Sequence, residues 1–553
     1  MSAKLVFFYK RIVKNVHFGA FFILISGFFN GFAQDCPQNP LPSFTPATIS
    51  NHVNWQQFPE FSLPFKVIYG GQASFSNPDI VLKRGFSHLA TPHDISSVQK
   101  SQRAMIYSGT AYPNRSQPWE IYKGPWGNDM GIYTNKWAAE FNYFKQITGN
   151  QSTVETDLFV YDIERQQRSN DSILVLKNMA TTPVAYRSLS NENFIEQYKK
   201  SLQELYATAV NFGKNGPLNP STQVSSYADT PIWNTFTNIQ GYTWAQWKQN
   251  PAVINYLIYN FGQNQVGGSF YNALDFLTPS AYYYYDYPHP FASEYLSYLL
   301  FQIEANRAWS TKDNIVFVWM KYSFNQEYKG KFIKPWMAEA TAIFPFFAGA
   351  KGLWLWDDFT GQNQNYSTYE YFLKGLYRLS LFKDMFTGSY ERVEETSARD
   401  YNENKKPIWR GVVKGSNILV AAHNPYAKTE DELVTVLVTY KNWSKVIQLK
   451  GYEVFLCQYD LNAVTGLEPS GNIGKLSLYP NPAVEDFTVE FTLKKTEEVK
   501  VFVHDLQGRL IDEHVVEGLA GINTKKIEVK GYHQLIVTVM TPEEQLTKRI
   551  IVK

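Results

Sequence analysis

At 553 residues the chain is too long for one compact core, and its length predicts several domains. A formal net charge of +2, charged residues at 18% and no basic run interleaved with aromatics leave no field strong enough for nucleic acid or an anionic membrane as main partner. Aromatic residues reach 16%, with 37 Tyr, 39 Phe and 14 Trp; flat rings with a polar edge suit the C–H faces of sugars, although large β-rich secreted chains share this composition.

Residues 1–33 read as a cleaved secretory signal. Lys4, Lys10, Arg11 and Lys14 precede the apolar run FGAFFILISGFF, and GFA offers a small-residue cleavage site before Gln34. The run is shorter than the roughly 20 residues of a membrane span, so no stable span is expected. Asp35 stands where a lipoprotein signal needs a small residue, so lipidation at Cys36 is not expected. Cys36 and Cys457 are the only cysteines; they either pair in an oxidising compartment or stay as two thiols. Neither has a CxxC or His-pair neighbourhood, so no metal site is expected. No EF-hand-type loop occurs, and no cofactor is implied.

From 65 to about 383 short apolar runs alternate with helix-like stretches, the pattern of an α/β fold with a parallel sheet, and a domain of residues 34–383 is predicted. Eight strands are predicted at 65–71, 85–91, 103–109, 158–164, 223–229, 276–286, 314–322 and 351–358. Helices are clearest at 192–212, 290–307, 335–348 and 367–381. Eight strands with intervening helices predict a (β/α)8 TIM barrel. A doubly wound open sheet is the runner-up, but no Gly-rich phosphate loop follows the first strand. The second-to-third connection is short for a full helix. Residues 384–460 alternate strands and turns without a long helix and predict a small β-sandwich accessory domain. Residues 461–474 read as a linker.

The last segment, 475–553, is all strand and turn. Tyr479-Pro480-Asn481-Pro482, the Asp505…Gly508-Arg509 turn, Gly531-Tyr532 and the basic final strand ending in Lys553 resemble the C-terminal sorting domain of type IX secretion cargo. The resemblance spans nearly all of the segment. It implies a Bacteroidetes-type bacterium, the type IX machinery as partner, a secreted or cell-surface location, and removal of the domain after export.

TDLFVYDIER, 156–165, ends the most apolar predicted strand with Asp162 and Glu164. In a barrel, active sites form at the C-terminal strand ends, and side chains at i and i+2 of a strand share a face. Both acids are therefore expected at the mouth, where like charges raise one pKa and keep a general acid protonated. Other strand ends add Tyr283 or Tyr285 with Asp286, Lys321 and Tyr322 with Asn325 beyond, Trp354 and Trp356 as a sugar-stacking floor, and Asp357 or Asp358. Strand five ends near Tyr227 and Asp229. Without His pairs or a nucleophilic Ser or Cys motif, an acid-lined aromatic mouth points to glycosidic bonds.

These residues resemble the chitinase and hyaluronidase group of barrels, which carry Asp-x-Glu at the end of strand four, Tyr on strand six and Trp on strand eight. The resemblance implies that Glu164 protonates the leaving oxygen and that Asp162 orients the substrate's own acetamido nucleophile. It implies that Tyr285 or Tyr283 binds that group and that Trp356 or Trp354 stacks below the sugar. The chitinase pattern Asp-x-x-Asp-x-Asp-x-Glu is met at Asp157, Asp162 and Glu164, but Val160 replaces its second acid and Leu158 its glycine. Two alternatives stay open: a barrel glycosidase with Asp162 as nucleophile and Asp286 as acid, or a catalytically inactive barrel that binds glycans at the cell surface. In plainer terms, Glu164 pairs with Arg165 or Lys321, one Trp fills the core, and Asp357 and Asp358 cap a loop.

Overall fold

The structure is a computed structural model that describes residues 36, 41, 44–46, 52–70, 77–90, 95–111, 124–164, 167–233, 239–290, 292–323, 327–328, 331–357, 366–462, 473–506, 508–529, 531–542 and 544–553. The predicted secretory signal, Arg165, Asn325, Asp358 and most of the predicted linker lie outside the described residues. The chain divides into two compact units, one of residues 1–438 with 446–460 and one of 439–445 with 461–553.

The first unit is built on a parallel sheet of seven strands. These are β1 (Lys66–Gly70), β2 (His88–Ala90), β3 (Arg103–Ser108), β4 (Leu158–Asp162), β5 (Gln223–Ser226), β6 (Ile315–Trp319) and β7 (Gly352–Trp356), in spatial order β5-β4-β3-β2-β1-β7-β6. Both faces are buried, which is why the strands read as continuous apolar runs. In β4, Leu158 and Val160 join the cluster lined by Ile68, Phe317 and Trp354, whereas Phe159 and Tyr161 face the helices.

The helices pack outside this sheet: α1 (Met130–Ile147), α2 (Asn191–Lys214), α3 (Tyr295–Trp309), α4 (Pro335–Phe347) and α5 (Ser367–Ser380). Helix α2 starts where the Ser190 hydroxyl accepts from the Asn193 amide at 3.2 Å. It buries Phe194, Tyr198, Leu202 and Tyr206 at helical spacing. Gly213 near its end is a close-approach position, because a Cβ there would stand 2.1 Å from the Tyr161 hydroxyl.

The predicted sixth strand departs from regularity. Residues 276–281 form only isolated parallel bridges, Tyr227 to Thr278 on one side and Leu277 to Asn314 and Ser280 to Phe317 on the other. Pro279 has no amide to donate, so a continuous ladder cannot run through this segment. Its remaining groups still bond both ways: Ala228 donates to Thr278 O at 3.0 Å, and Ala281 to Phe317 O at 2.9 Å. Between β2 and β3 the described residues hold a single 3-10 turn at Lys100–Gln102, in line with the short connection.

After these helices come β8 (Glu391–Val393), β9 (Ile408–Lys414), β10 (Asn417–His423), the hairpin β11 (Leu433–Tyr440) with β12 (Trp443–Lys450), whose residues 439–445 are counted in the second unit, and β13 (Val454–Asp460). Strands β8, β9, β10 and β13 form one antiparallel sheet in that order. It is fastened to the helices by buried charge: Arg410 of β9 pairs with Glu304 of α3, and Arg378 of α5 bonds both Glu339 of α4 and the Val454 carbonyl, each at 2.6 Å. Cys36 is disulfide-bonded to Cys457 of β13, with Cα atoms 5.3 Å apart.

The second unit holds two antiparallel sheets. One joins β14 (Ile473–Tyr479), β15 (Asp486–Leu493) and β18 (Gly521–Glu528); the other joins β17 (Leu510–Gly518), β16 (Glu497–Asp505), β19 (Gln534–Met540) and β20 (Gln545–Ile551). Strict alternation in β15 and β16 sends Phe487, Val489, Phe491, Val499, Val501 and Val503 into one core. The Asp505 turn is held by its own carboxylate, which accepts from the Arg509 amide at 2.9 Å and pairs with its guanidinium at 2.6 Å.

Candidate functional site

The alternation along β4 that buries Leu158 and Val160 brings Asp162, the last strand residue, to the C-terminal rim of the same inner face. It sits in register with Ser108 of β3. Its Oδ1 is buried and has no hydrogen-bond partner among the described residues. Burial above all, then the charges of Glu164 and Asp229, push its pKa up to about 8. Glu164 does not follow by simple extension of the strand, as alternation predicted. Its backbone is left-handed, with φ of 41°, and desolvation also lifts its carboxyl above the ordinary range.

A third acid enters from β5. Asp229 is buried, and its Oδ2 accepts from the Ser226 hydroxyl at 2.6 Å. Burial raises its pKa to about 7; the Ser226 bond opposes this and the Glu164 charge adds to it. Ala228, beside it, is also left-handed at φ 59°. Two of the five non-glycine residues with positive φ among the described residues thus belong to this cluster, Glu164 itself and Ala228 next to Asp229. Such backbone costs about 1–3 kcal/mol per residue and persists where surrounding structure holds it.

An aromatic wall stands beside the carboxyls. Tyr227 bonds Ser280 through their hydroxyls at 2.9 Å and also bonds Tyr282. The Tyr282 ring lies 5.6 Å from Trp319 and 5.7 Å from Trp356. Trp319 and Trp356, paired in register at the ends of β6 and β7, meet edge to face at 4.8 Å. Both Asp162 and Glu164 act electrostatically on Tyr227 and Tyr282. The site therefore offers protonatable carboxyls next to flat rings.

Several predicted residues are placed elsewhere. Trp354 is fully buried inside the sheet, stacked on Phe317 at 4.8 Å, and fills the space opposite Gly70, where a Cβ would come within 3.1 Å of its Nε1. So buried a ring cannot be a stacking floor, whereas Trp356 is half-buried at the strand end. Tyr283 points away from Asp162, donates to the Ser293 carbonyl at 2.6 Å and packs among Tyr295, Tyr298 and Tyr322. Tyr285 stacks on His289 at 4.4 Å. Asp286 bonds Tyr322 and stands 3.5 Å from Lys334, so the structure groups it with these residues and not with the Asp162 cluster. Lys321 and Asp357 form a buried ion pair at 3.0 Å, and Asp357 also bonds Tyr369. Asp157 lies at the N-terminal end of β4, tied to Lys66 at 2.7 Å and His88 at 2.9 Å.

Tyr282 and Trp319 were not predicted as site residues, and Asp229 was noted only by position. The register of LFVYD against IVFVW and GLWLW carried the signal for Trp319, since the last residue of each strand falls on one rim. Among the described residues, no group of three or more His, Cys, Asp and Glu side chains converges as a metal-binding set, and no helix is long and apolar enough to cross a membrane.

Residues 477–553 match the family of secretion system C-terminal sorting domains. This domain marks the chain for type IX secretion to the cell surface or extracellular space. No curated protein sequence matches the chain. Among solved structures the chain is similar to bee venom hyaluronidase at 13% identity, over 57% of this chain and 99% of that one, with a TM-score of 0.36. It is similar to an endo-β-1,4-mannanase double mutant from Cellulomonas fimi at 8% identity, over 82% and 77%, with a TM-score of 0.27. It is also similar to a glycoside hydrolase family 30 subfamily 8 xylanase from Clostridium acetobutylicum at 11% identity, over 85% and 99%, with a TM-score of 0.25. Likeness at this level assigns neither substrate nor mechanism.

Proposed function

We propose that residues 34–383 are a (β/α)8-barrel glycoside hydrolase, with 384–460 as its β-sandwich accessory, acting on an extracellular glycan with retention of configuration. The observation that carries this reading is the convergence of Asp162, Glu164 and Asp229 beside Tyr282, Trp319 and Trp356 at the C-terminal strand ends. The two-sided bonding of residues 275–281 supports closure of the seven-stranded sheet by an eighth, irregular member.

Glu164 stands at the rim with a raised pKa, which suits the donation of a proton to the leaving glycosidic oxygen. In the substrate-assisted form, an acetamido oxygen of the substrate bonds to the anomeric carbon as the C–O bond breaks. Asp162, buried and protonated to about pH 8, accepts the acetamido N–H through its Oδ1 and so orients that group. Glu164, now ionised, then takes a proton from the water that opens the intermediate. Trp356 and Tyr282 give the sugar ring a flat apolar wall.

Reducing-sugar release by the full chain tests this on chitin, hyaluronan, peptidoglycan and galactose- or mannose-containing polymers. Glu164→Gln is expected to lower the rate about 10²–10⁴-fold, and Asp162→Asn to lower it as well. Undiminished release in Glu164→Gln would refute its role as the acid. Glycan binding without release from any polymer would favour an inactive binding barrel.

A further inference from the structure

Four residues beyond Tyr282 the same segment lines a second cavity. Asp286 and Tyr287 form one side, Lys334 and Trp336 at the start of α4 another, and Tyr426 and Tyr452, in the turns bordering the small sheet, a third. All belong to the first unit. The cavity measures about 320 Å³, within the range of small-ligand sites.

Its rings are fixed from behind and only half-buried in front. Trp336 lies within 9° of the plane of Tyr452 at 5.9 Å and is backed by His423 at 4.6 Å. Tyr287 and Tyr426 meet edge-on at 5.7 Å. The Tyr452 hydroxyl is anchored on the Ala427 carbonyl. Asp286 and Lys334 stand 3.5 Å apart among these rings, an acceptor beside a donor.

A guest for this cavity needs an apolar face for the rings and a hydrogen-bonding edge for the carboxylate and ammonium. An alkyl chain would cover the ion pair without bonding it, which is costly. A quaternary cation, the other usual guest of clustered aromatic rings, meets an ammonium already seated at Asp286, and the other lining acid, Glu294, is engaged by the Leu296 and Ser297 amides at 2.8 Å each. A pyranose satisfies both surfaces. We propose that this cavity is a saccharide-binding pocket separate from the acid mouth. The backbone from Tyr282 to Asp286 spans at most about 14 Å, so one glycan chain can lie across both places. That last extension rests on the glycosidase reading, whereas binding in the pocket does not.

Calorimetric titration of the full chain carrying Glu164→Gln, chosen to slow any turnover, tests the pocket. The probes are short and long chito-, hyaluronan, galacto- and manno-oligosaccharides, with choline as the cationic arm. A long oligosaccharide is expected to bind, and adding Trp336→Ala is expected to weaken it about tenfold. Tyr287→Ala, farther from the helix core, is expected to weaken it in the same direction, and thermal melts establish that both variants fold. Unchanged affinity in both variants, no saccharide binding at all, or binding of choline alone each overturns the proposal. Binding that depends on Trp336 in a chain that hydrolyses nothing removes only the glycosidase reading.

Discussion

Asp162 loses water on folding without gaining a hydrogen bond at Oδ1 from any described residue, and the consequence is a proton held where a carboxyl ordinarily has none. Its folded pKa of about 8 lies above the unfolded value of about 3.9. The folded chain therefore binds more protons across that window, and its stability falls as pH rises from about 4 to 8. Asp229, held at about 7, contributes with the same sign. Asp162→Asn is expected to leave stability near pH 4 almost unchanged and to raise it by about 1–3 kcal/mol above pH 8, read from thermal melts at both pH values. A stabilisation equal at both pH values would mean that the carboxyl does not titrate as described. Asp229→Asn removes a like charge from the cluster, so the alkaline limb of the pH–rate profile is expected to move to lower pH.

At the scale of elements, β7 carries two tryptophans with opposite duties. Trp354→Ala empties the inner core and is expected to cost about 3–5 kcal/mol. Trp356→Ala trims a rim ring, and chemical denaturation should show a markedly smaller loss while glycan binding weakens. Equal destabilisation would place both rings in the core. The helices were legible because their apolar faces repeat locally: 192–212 was expected where Asn191–Lys214 stands, and 335–348 where Pro335–Phe347 stands. Irregularity in the sixth strand was written in Pro279, a missing amide in mid-run. The direction of each ring in the run Tyr282 to Tyr285 was not legible, because four identical residues give alternation no phase. Lys321 and Asp357 looked available because their partnership joins two strand ends that only the folded sheet brings together. Glu164 shows the same limit: its left-handed backbone breaks the alternation that had placed it beside Asp162.

Across the whole molecule, a core of parallel strands, a small antiparallel sheet and a C-terminal β unit share one chain, and the joins differ in kind. Buried charge fastens the small sheet to the helices through Arg410–Glu304 and Arg378–Glu339. The disulfide from Cys36 to Cys457 spans 421 residues of sequence, and its loss through Cys457→Ser is expected to cost about 2–4 kcal/mol in denaturant melts under oxidising conditions. That bridge also makes most of the first unit a covalent ring. A protease cutting once in a surface loop between the two cysteines opens the ring without dividing it. The halves then migrate together on a gel until reductant is added. A cut beyond Cys457 releases the C-terminal β unit with or without reductant. An exported chain can thus shed its sorting domain and later be nicked in its loops, yet remain a single covalent body outside the cell.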